Sequence, residues 1–187
     1  VGFGPAGGML VDDKAVVMHV PLSDAQNANV KIVNLFTPDD GAAIEFSEGG
    51  FSIDACKIDG QAASLSAFIK EHNIDTRLPL VADYCGVMVN VSIQEVLDGQ
   101  VNLYAPVFPN VTYHFANPIG DYVGEFDKAV SGEGTPSSSF CCNCILNFLY
   151  SELEGKKTGH ITGPITFGEI AYQLLNQTLV YLTIDDA

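Results

Sequence analysis

The sequence predicts an α+β fold in which a largely antiparallel β-sheet carries about three packed helices. Three observations point there. Short runs rich in Val, Ile and Phe recur along most of the 187 residues, separated by the Asp, Asn, Gly and Pro residues that turn a chain back on itself. Three longer segments place apolar residues at helical spacing. A hydrophobic content of 47%, with a mean hydropathy of +0.21, supplies one sizeable core.

The elements follow in order. After a glycine-rich opening over residues 1–8, Met9-Leu10-Val11 and Ala15 to Val20 read as a hairpin around Asp12-Asp13-Lys14. Val30 to Leu35 and Ala43 to Phe46 read as strands on either side of the turn residues Thr37 to Gly41. Phe51 to Ile58 alternates as a strand and stops at Asp59-Gly60. Gln61 to His72 is then an amphipathic helix, with Leu65, Phe68, Ile69 and His72 on one stripe. Leu80 to Tyr84 and Val87 to Ile93 are strands around Gly86. Asp98-Gly99 leads into a strand from Val101 to Phe108, in which Pro106 removes a ladder donor and predicts a bulge or an edge.

Asn117-Pro118 is a helix-start signal, because Asn caps free amides and Pro is tolerated at the first helical position. Ile119, Tyr122, Val123, Phe126 and Val130 supply the stripe that follows. Residues 131–139 are a glycine- and serine-rich loop. The next helix is predicted to span the cysteine-rich stretch Phe140 to Leu149, capped by Thr135 or a following Ser and closed by Gly155 with Lys156-Lys157. Cys141, Ile145, Phe148 and Glu152 share one face of such a helix, with Cys144 and Leu149 beside it. Ile161 to Phe167 and Leu179 to Ile184 complete the chain as strands.

Charge removes several classes of function. With 23 acidic against 8 basic residues, the formal charge is −15, a sign that repels phosphate backbones and anionic lipid heads. Nucleic acid and membrane surfaces are therefore not expected partners. No apolar run reaches the ~18 residues that span a bilayer. Five cysteines are an odd number, and three crowd within four positions, which points to a reducing, cytoplasmic setting. Sequons occur at Asn90, Asn110 and Asn176, a tripeptide common by chance. The opening at Val1, without methionine, reads as a chain entered from something upstream.

The candidate chemistry gathers at the cysteines and near the end of the chain. Cys141 and Cys144 have the spacing of a zinc knuckle or a redox pair, but knuckles sit in turns and thioredoxin-like pairs follow a strand directly. Hydrolysis by Cys141 or Cys142 needs a base, and no motif places His19, His114 or His160 to serve as one. No catalytic residue, metal or cofactor is assigned. Glu169, between Gly168 and Ile170 in an apolar setting, is the carboxylate to single out, since a buried carboxylate demands backbone amides or a cation. Asn176 and Thr178 either anchor a turn or line a pocket.

Several of these segments resemble the C-terminal part of the FIST family, a sensory module of signal-transduction proteins. Gly8 to Asp12 with Ala15-Val16-Val17 is similar to that family's last N-terminal strands, and Ile58-Asp59-Gly60-Gln61-Ala62 to its strand-to-helix junction. Phe140-Cys141-Cys142-Asn143-Cys144 sits at its cysteine position, and Phe167-Gly168-Glu169-Ile170 with Asn176-Gln177-Thr178 matches its closing signatures. Ile145 and Leu146 depart from the glycine or arginine usual after the cysteine. The resemblance divides the chain into residues 1–50, the end of an N-terminal region, and residues 51–187, a C-terminal-like unit. It implies a small ligand such as an amino acid or similar polar metabolite, and an N-terminal half or output domain as partner. Cys141, Cys142, Asn143, Cys144, Glu169, Asn176 and Thr178 are the candidate ligand-binding residues. A zwitterion would place its carboxylate on the first-turn amides of the cysteine helix and its ammonium on Glu169. The alternative is a thiol-dependent enzyme using Cys141 to Cys144.

Overall fold

A computed structural model describes residues 2–4, 7–9, 13, 15, 17–130, 140–150, 152–156 and 163–186. In chain order it contains β1 (Gly2–Gly4), β2 (Gly7–Met9), β3 (Gln26–Val33), β4 (Ile44–Glu45), β5 (Gly50–Ile53), β6 (Ala55–Ile58) and β7 (Gln61–Ser64). Helix α1 (Leu65–Glu71) is followed by β8 (Leu80–Asp83), β9 (Met88–Val91), β10 (Ile93–Leu97), β11 (Gln100–Val107) and β12 (Thr112–Phe115). The last part holds α2 (Tyr122–Val130), β13 (Phe140–Cys144), α3 (Ile145–Tyr150), β14 (Ile165–Thr166), β15 (Glu169–Ala171), β16 (Gln173–Leu175) and β17 (Leu179–Asp186). The fold is α+β with mostly antiparallel sheets.

A six-stranded sheet, in the order β7-β6-β4-β12-β8-β9, and a three-stranded sheet, β10-β11-β5, share the largest core. Ile44, Leu80, Val91 and Tyr113 come from the first, Ile93, Val101 and Leu103 from the second, and Leu65 and Ile69 from α1. A four-stranded sheet, β14-β13-β17-β3, packs one face on α2 through Phe126, Val130, Cys141, Leu179 and Tyr181. The ladder between β17 and β3 joins the C-terminal strand to one that precedes residue 50, and β4 lies between β6 and β12. The sheets therefore run across the division expected at that residue.

The structure corrects several boundaries. Gln61–Ser64 is not the first turn of a helix, because Asp59 and Gly60 both take positive φ and fold it back on β6 as a tight hairpin. Ser64 then caps α1, its Oγ accepting from Ala67 N at 3.2 Å. Asn117 does not cap α2. It donates instead to Thr37 and Pro38, and Asp121 takes the capping role by accepting from Gly124 N at 3.0 Å. Residues 17–20 form no strand, and Val17 and Met18 are exposed; the hairpin at this end is β1 with β2. Pro106 lies inside the register shift between Asn102 and Val107, as expected of a missing donor. The loop over 131–139 and the caps proposed there fall outside the described residues.

The largest correction concerns the cysteines. Phe140–Cys144 is a central strand, antiparallel to β17 and parallel to β14, and the helix begins only at Ile145. The long apolar β17 offers Phe140 to Asn143 a complete ladder, which outweighs the weak helical preference of Phe-Cys-Cys-Asn-Cys. Gly163, two residues before β14, lies so close to Cys141 that a side chain there would meet its carbonyl and sulfur. Phe148 is only half buried and Leu149 is exposed, so the helical stripe expected through them does not form.

The cores are joined by a polar clasp. Asn34 and Asn90 exchange side-chain hydrogen bonds of 2.9 and 3.0 Å, and Asn90 Nδ2 also donates to Asn176 O at 3.0 Å. Ser92 donates to Gln177 Oε1 at 2.7 Å, while Gln177 Nε2 donates to Arg77 O at 3.0 Å. Asn90, Ser92 and Gln177 are buried, so each group left unpaired would cost about 1 to 3 kcal/mol.

Two substitutions test this description in a reversible urea melt. Phe126→Ala, which empties the core under α2, is expected to cost about 3 to 5 kcal/mol, and Phe148→Ala clearly less. Asn90→Ala is expected to cost about 2 to 4 kcal/mol, because it strands both Asn34 and the Asn176 carbonyl. A loss near zero for Asn90→Ala would show that the clasp carries no load.

Candidate functional site

Because side chains alternate along a strand, the five residues of β13 are divided between two faces of the sheet. Cys141 and Asn143 face α2. Asn147 Nδ2 donates to Asn143 Oδ1 at 3.1 Å, and the Tyr122 hydroxyl donates to Asn147 Oδ1 at 2.6 Å. Phe140 and Cys142 face the other way, beside Val180 and Leu182 of β17 and Val30 of β3, their register partners. Against this second face lies the hairpin of β15 and β16, which turns at Tyr172 with a φ of 66°.

Between the sheet face and the hairpin is a cleft of about 600 Å³. Val30, Phe140, Cys142, Val180 and Leu182 line it from the sheet, and Glu169, Ile170, Ala171 and Tyr172 from the hairpin, with Thr166 and Gly168 at the junction. The volume is that of a small-molecule site. Phe140, Ile170 and Tyr172 are largely exposed at its mouth.

Glu169 is the acid of this cleft and is only 6% exposed. Its Oε1 accepts from Thr178 Oγ1 at 2.5 Å, and its Oε2 lies 3.5 Å from Thr166 Oγ1, which also donates to Asn143 O at 3.3 Å. No Lys, Arg or His lines the cleft among the described residues. Burial therefore dominates and pushes the carboxyl up to about 7, the two threonine hydroxyls pulling weakly the other way. Burial also raises Cys142 and Cys144, and the charge of Glu169 adds to both. Burial raises Cys141 too.

Of the seven residues nominated from sequence, Cys142 and Glu169 line the cleft and Thr178 supports Glu169 from behind. Cys141 and Asn143 belong to the α2 face, and Cys144 is fully buried. Asn176 sits in the clasp, its Nδ2 donating to Leu175 O and its Oδ1 without a partner among the described residues. Strand alternation also sends Cys141 and Cys144 to opposite faces, which removes the joint chelation considered for them. The expected carboxylate site on helix amides has no counterpart, because the backbone of 140–144 is engaged by β14 and β17. Phe140, Val180, Leu182 and Tyr172 were missed. The first three carried a signal in the alternation of the two strands, whereas Tyr172 at a left-handed turn carried none.

The raised carboxyl has a consequence for stability. Native Glu169 holds its proton up to about pH 7, while the unfolded residue releases it near pH 4.5, so between these values the native state binds more protons. Stability from this group is full below pH 4.5 and is lost as pH rises to about 7, by about 2 to 4 kcal/mol. Glu169→Gln is expected to remove that slope from a series of urea melts at pH 4.5 to 8. An unchanged slope would place the titration elsewhere.

No helix among the described residues is long and apolar enough to cross a membrane. Neither a curated protein nor a solved structure matches the chain. The model of one family, described as a family of unknown function (DUF6976), matches residues 1–185, and the chain belongs to that family.

Proposed function

We propose that the protein is a small-molecule-binding module of the sensory kind, whose ligand occupies the cleft between the β13–β17–β3 face and the β15–β16 hairpin. The observation that carries this reading is a cavity of ligand size with one buried carboxyl at its base and apolar side chains around it. The resemblance of Phe167 to Ile170 and Asn176 to Thr178 to the FIST sensory family supports the same reading, and implies that occupancy is relayed to an output domain or an N-terminal half. The five free cysteines support a reducing, cytoplasmic setting.

The thiol-enzyme alternative gains nothing from the geometry. A nucleophilic cysteine needs its thiol lowered by a cation or an adjacent base. Here burial raises Cys141, Cys142 and Cys144, and a carboxylate rather than a cation neighbours Cys142. Iodoacetamide at pH 7 is expected to label the exposed Cys85 first and Cys142 slowly, leaving Cys56, Cys141 and Cys144 until the chain unfolds. Rapid labelling of Cys142 below pH 7 would restore the enzymatic reading.

The binding reading is tested by a metabolite panel in thermal melts, together with native mass spectrometry for a molecule retained through purification. A ligand at 100 times its Kd is expected to stabilise the wild type by about 2.7 kcal/mol. Cys142→Trp, which fills the cleft, is expected to abolish that gain while the far-ultraviolet circular dichroism stays native. Equal stabilisation of both proteins would move the site out of the cleft.

A further inference from the structure

Taking the cleft as the binding site, we infer that it accepts a primary amine on a mainly apolar body, the ammonium resting on the Glu169 carboxylate. The argument starts from what faces that carboxyl. From β13 it meets the thiols of Cys142 and Cys144, from β14 the Thr166 hydroxyl, and ahead of β17 the Thr178 hydroxyl. Tyr172 of its own hairpin and Tyr181 of β17 are the other titratable residues lining the cavity. No basic side chain lines it among the described residues. Among the described residues the carboxylate thus has hydroxyl donors and no counter-ion. A buried carboxylate in that position is stabilised most by a cation brought in from solution.

The remaining lining selects the rest of the molecule. Val30, Phe140, Ile170, Val180 and Leu182 offer hydrocarbon and aromatic surface to an apolar body. A carboxylate on the same ligand would find no positive partner among the described residues and would lie near Glu169, so a zwitterion is penalised relative to the bare amine. The formal charge of −15 favours approach of cations over anions at long range. Since the empty site holds its carboxyl proton up to about pH 7, an ammonium that arrives must displace that proton to the solvent. The O–H bond of Glu169 breaks, the proton leaves to buffer, and the amine keeps its own. At pH 7 about half a proton should be released per ligand bound.

The test is titration calorimetry of the full chain with octylamine and 2-phenylethylamine, using 1-octanol, 2-phenylethanol, octanoate and phenylalanine as matched controls. At pH 7.5 the amines are expected to bind at least tenfold more tightly than any control. Glu169→Gln should weaken the amines about 10- to 150-fold and leave the alcohols unchanged. Runs at pH 7 in two buffers of different ionisation enthalpy should show the proton release, which vanishes in Glu169→Gln and above about pH 8.5. Alcohols or octanoate binding as tightly as the amines, with loss of all binding in Cys142→Trp, would overturn the amine inference and leave the cleft as the site. Amine binding that persists in Cys142→Trp would overturn both. No amine binding at millimolar concentration would overturn the amine inference alone, because the cleft is judged separately from the molecule retained through purification.

Discussion

The reciprocal amide pair of Asn34 and Asn90 is the constraint on which the rest of the architecture depends. Asn34 follows β3 of the four-stranded sheet and Asn90 lies in β9 of the six-stranded one, so the pair fixes where two separately cored sheets meet. The same Asn90 amide holds the carbonyl of Asn176, and Gln177 is gripped between Ser92 and Arg77. Those contacts set the path of the chain just before Thr178, the residue that donates to Glu169. The position of the acid in the cleft is thus determined from the far side of the molecule, through a chain of satisfied polar groups that tolerates little substitution.

Much of this was legible in the sequence where side-chain chemistry and backbone geometry agree. Asp59-Gly60 and Asp98-Gly99 announced turns, and the glycines of both take positive φ. Pro106 announced its bulge, and the alternating β-branched runs at 80–93 and 179–184 became strands. Reading failed where a long-range partner decided the outcome. Phe140 to Cys144 carries no period that distinguishes a buried strand from a buried helix, and only the presence of β17 and β14 on its two sides settles it. Asn117 looked like a cap in isolation, yet its amide was claimed by residues 37 and 38, about eighty positions away. The hairpin of β15 and β16 turns on Tyr172, a residue that gives no turn signal.

For the site, the sequence identified the acid, because a lone Glu among apolar residues is chemically conspicuous, and nominated two residues beside it, Cys142 and Thr178. It could not identify the walls. Phe140, Val180, Leu182 and Val30 look like any core residues until the ladder brings them onto one face and leaves a hairpin, rather than a helix, as the cover. Thr178 was nominated as a turn anchor or pocket residue, but its pairing with Glu169 was hidden, since a threonine nine positions away becomes the donor only through the clasp.

The division of β13 between two environments gives the cleft something like a reading frame. From these two strands the cleft takes its wall mainly from the even-numbered Phe140, Cys142, Val180 and Leu182, with Tyr181 reaching it as well, whereas the odd-numbered Cys141, Leu179 and Tyr181 pack in the core with α2. Because Phe140 is paired with Leu182 and Cys142 with Val180, a slip of one residue between these strands would present Cys141 and Asn143 to the cleft and drive Phe140 and Cys142 into the helix interface. The protein would then exchange a hydrophobic wall for an amide-bearing one without changing a single amino acid. Strand register is therefore itself a determinant of ligand chemistry in this fold, alongside the identity of the side chains.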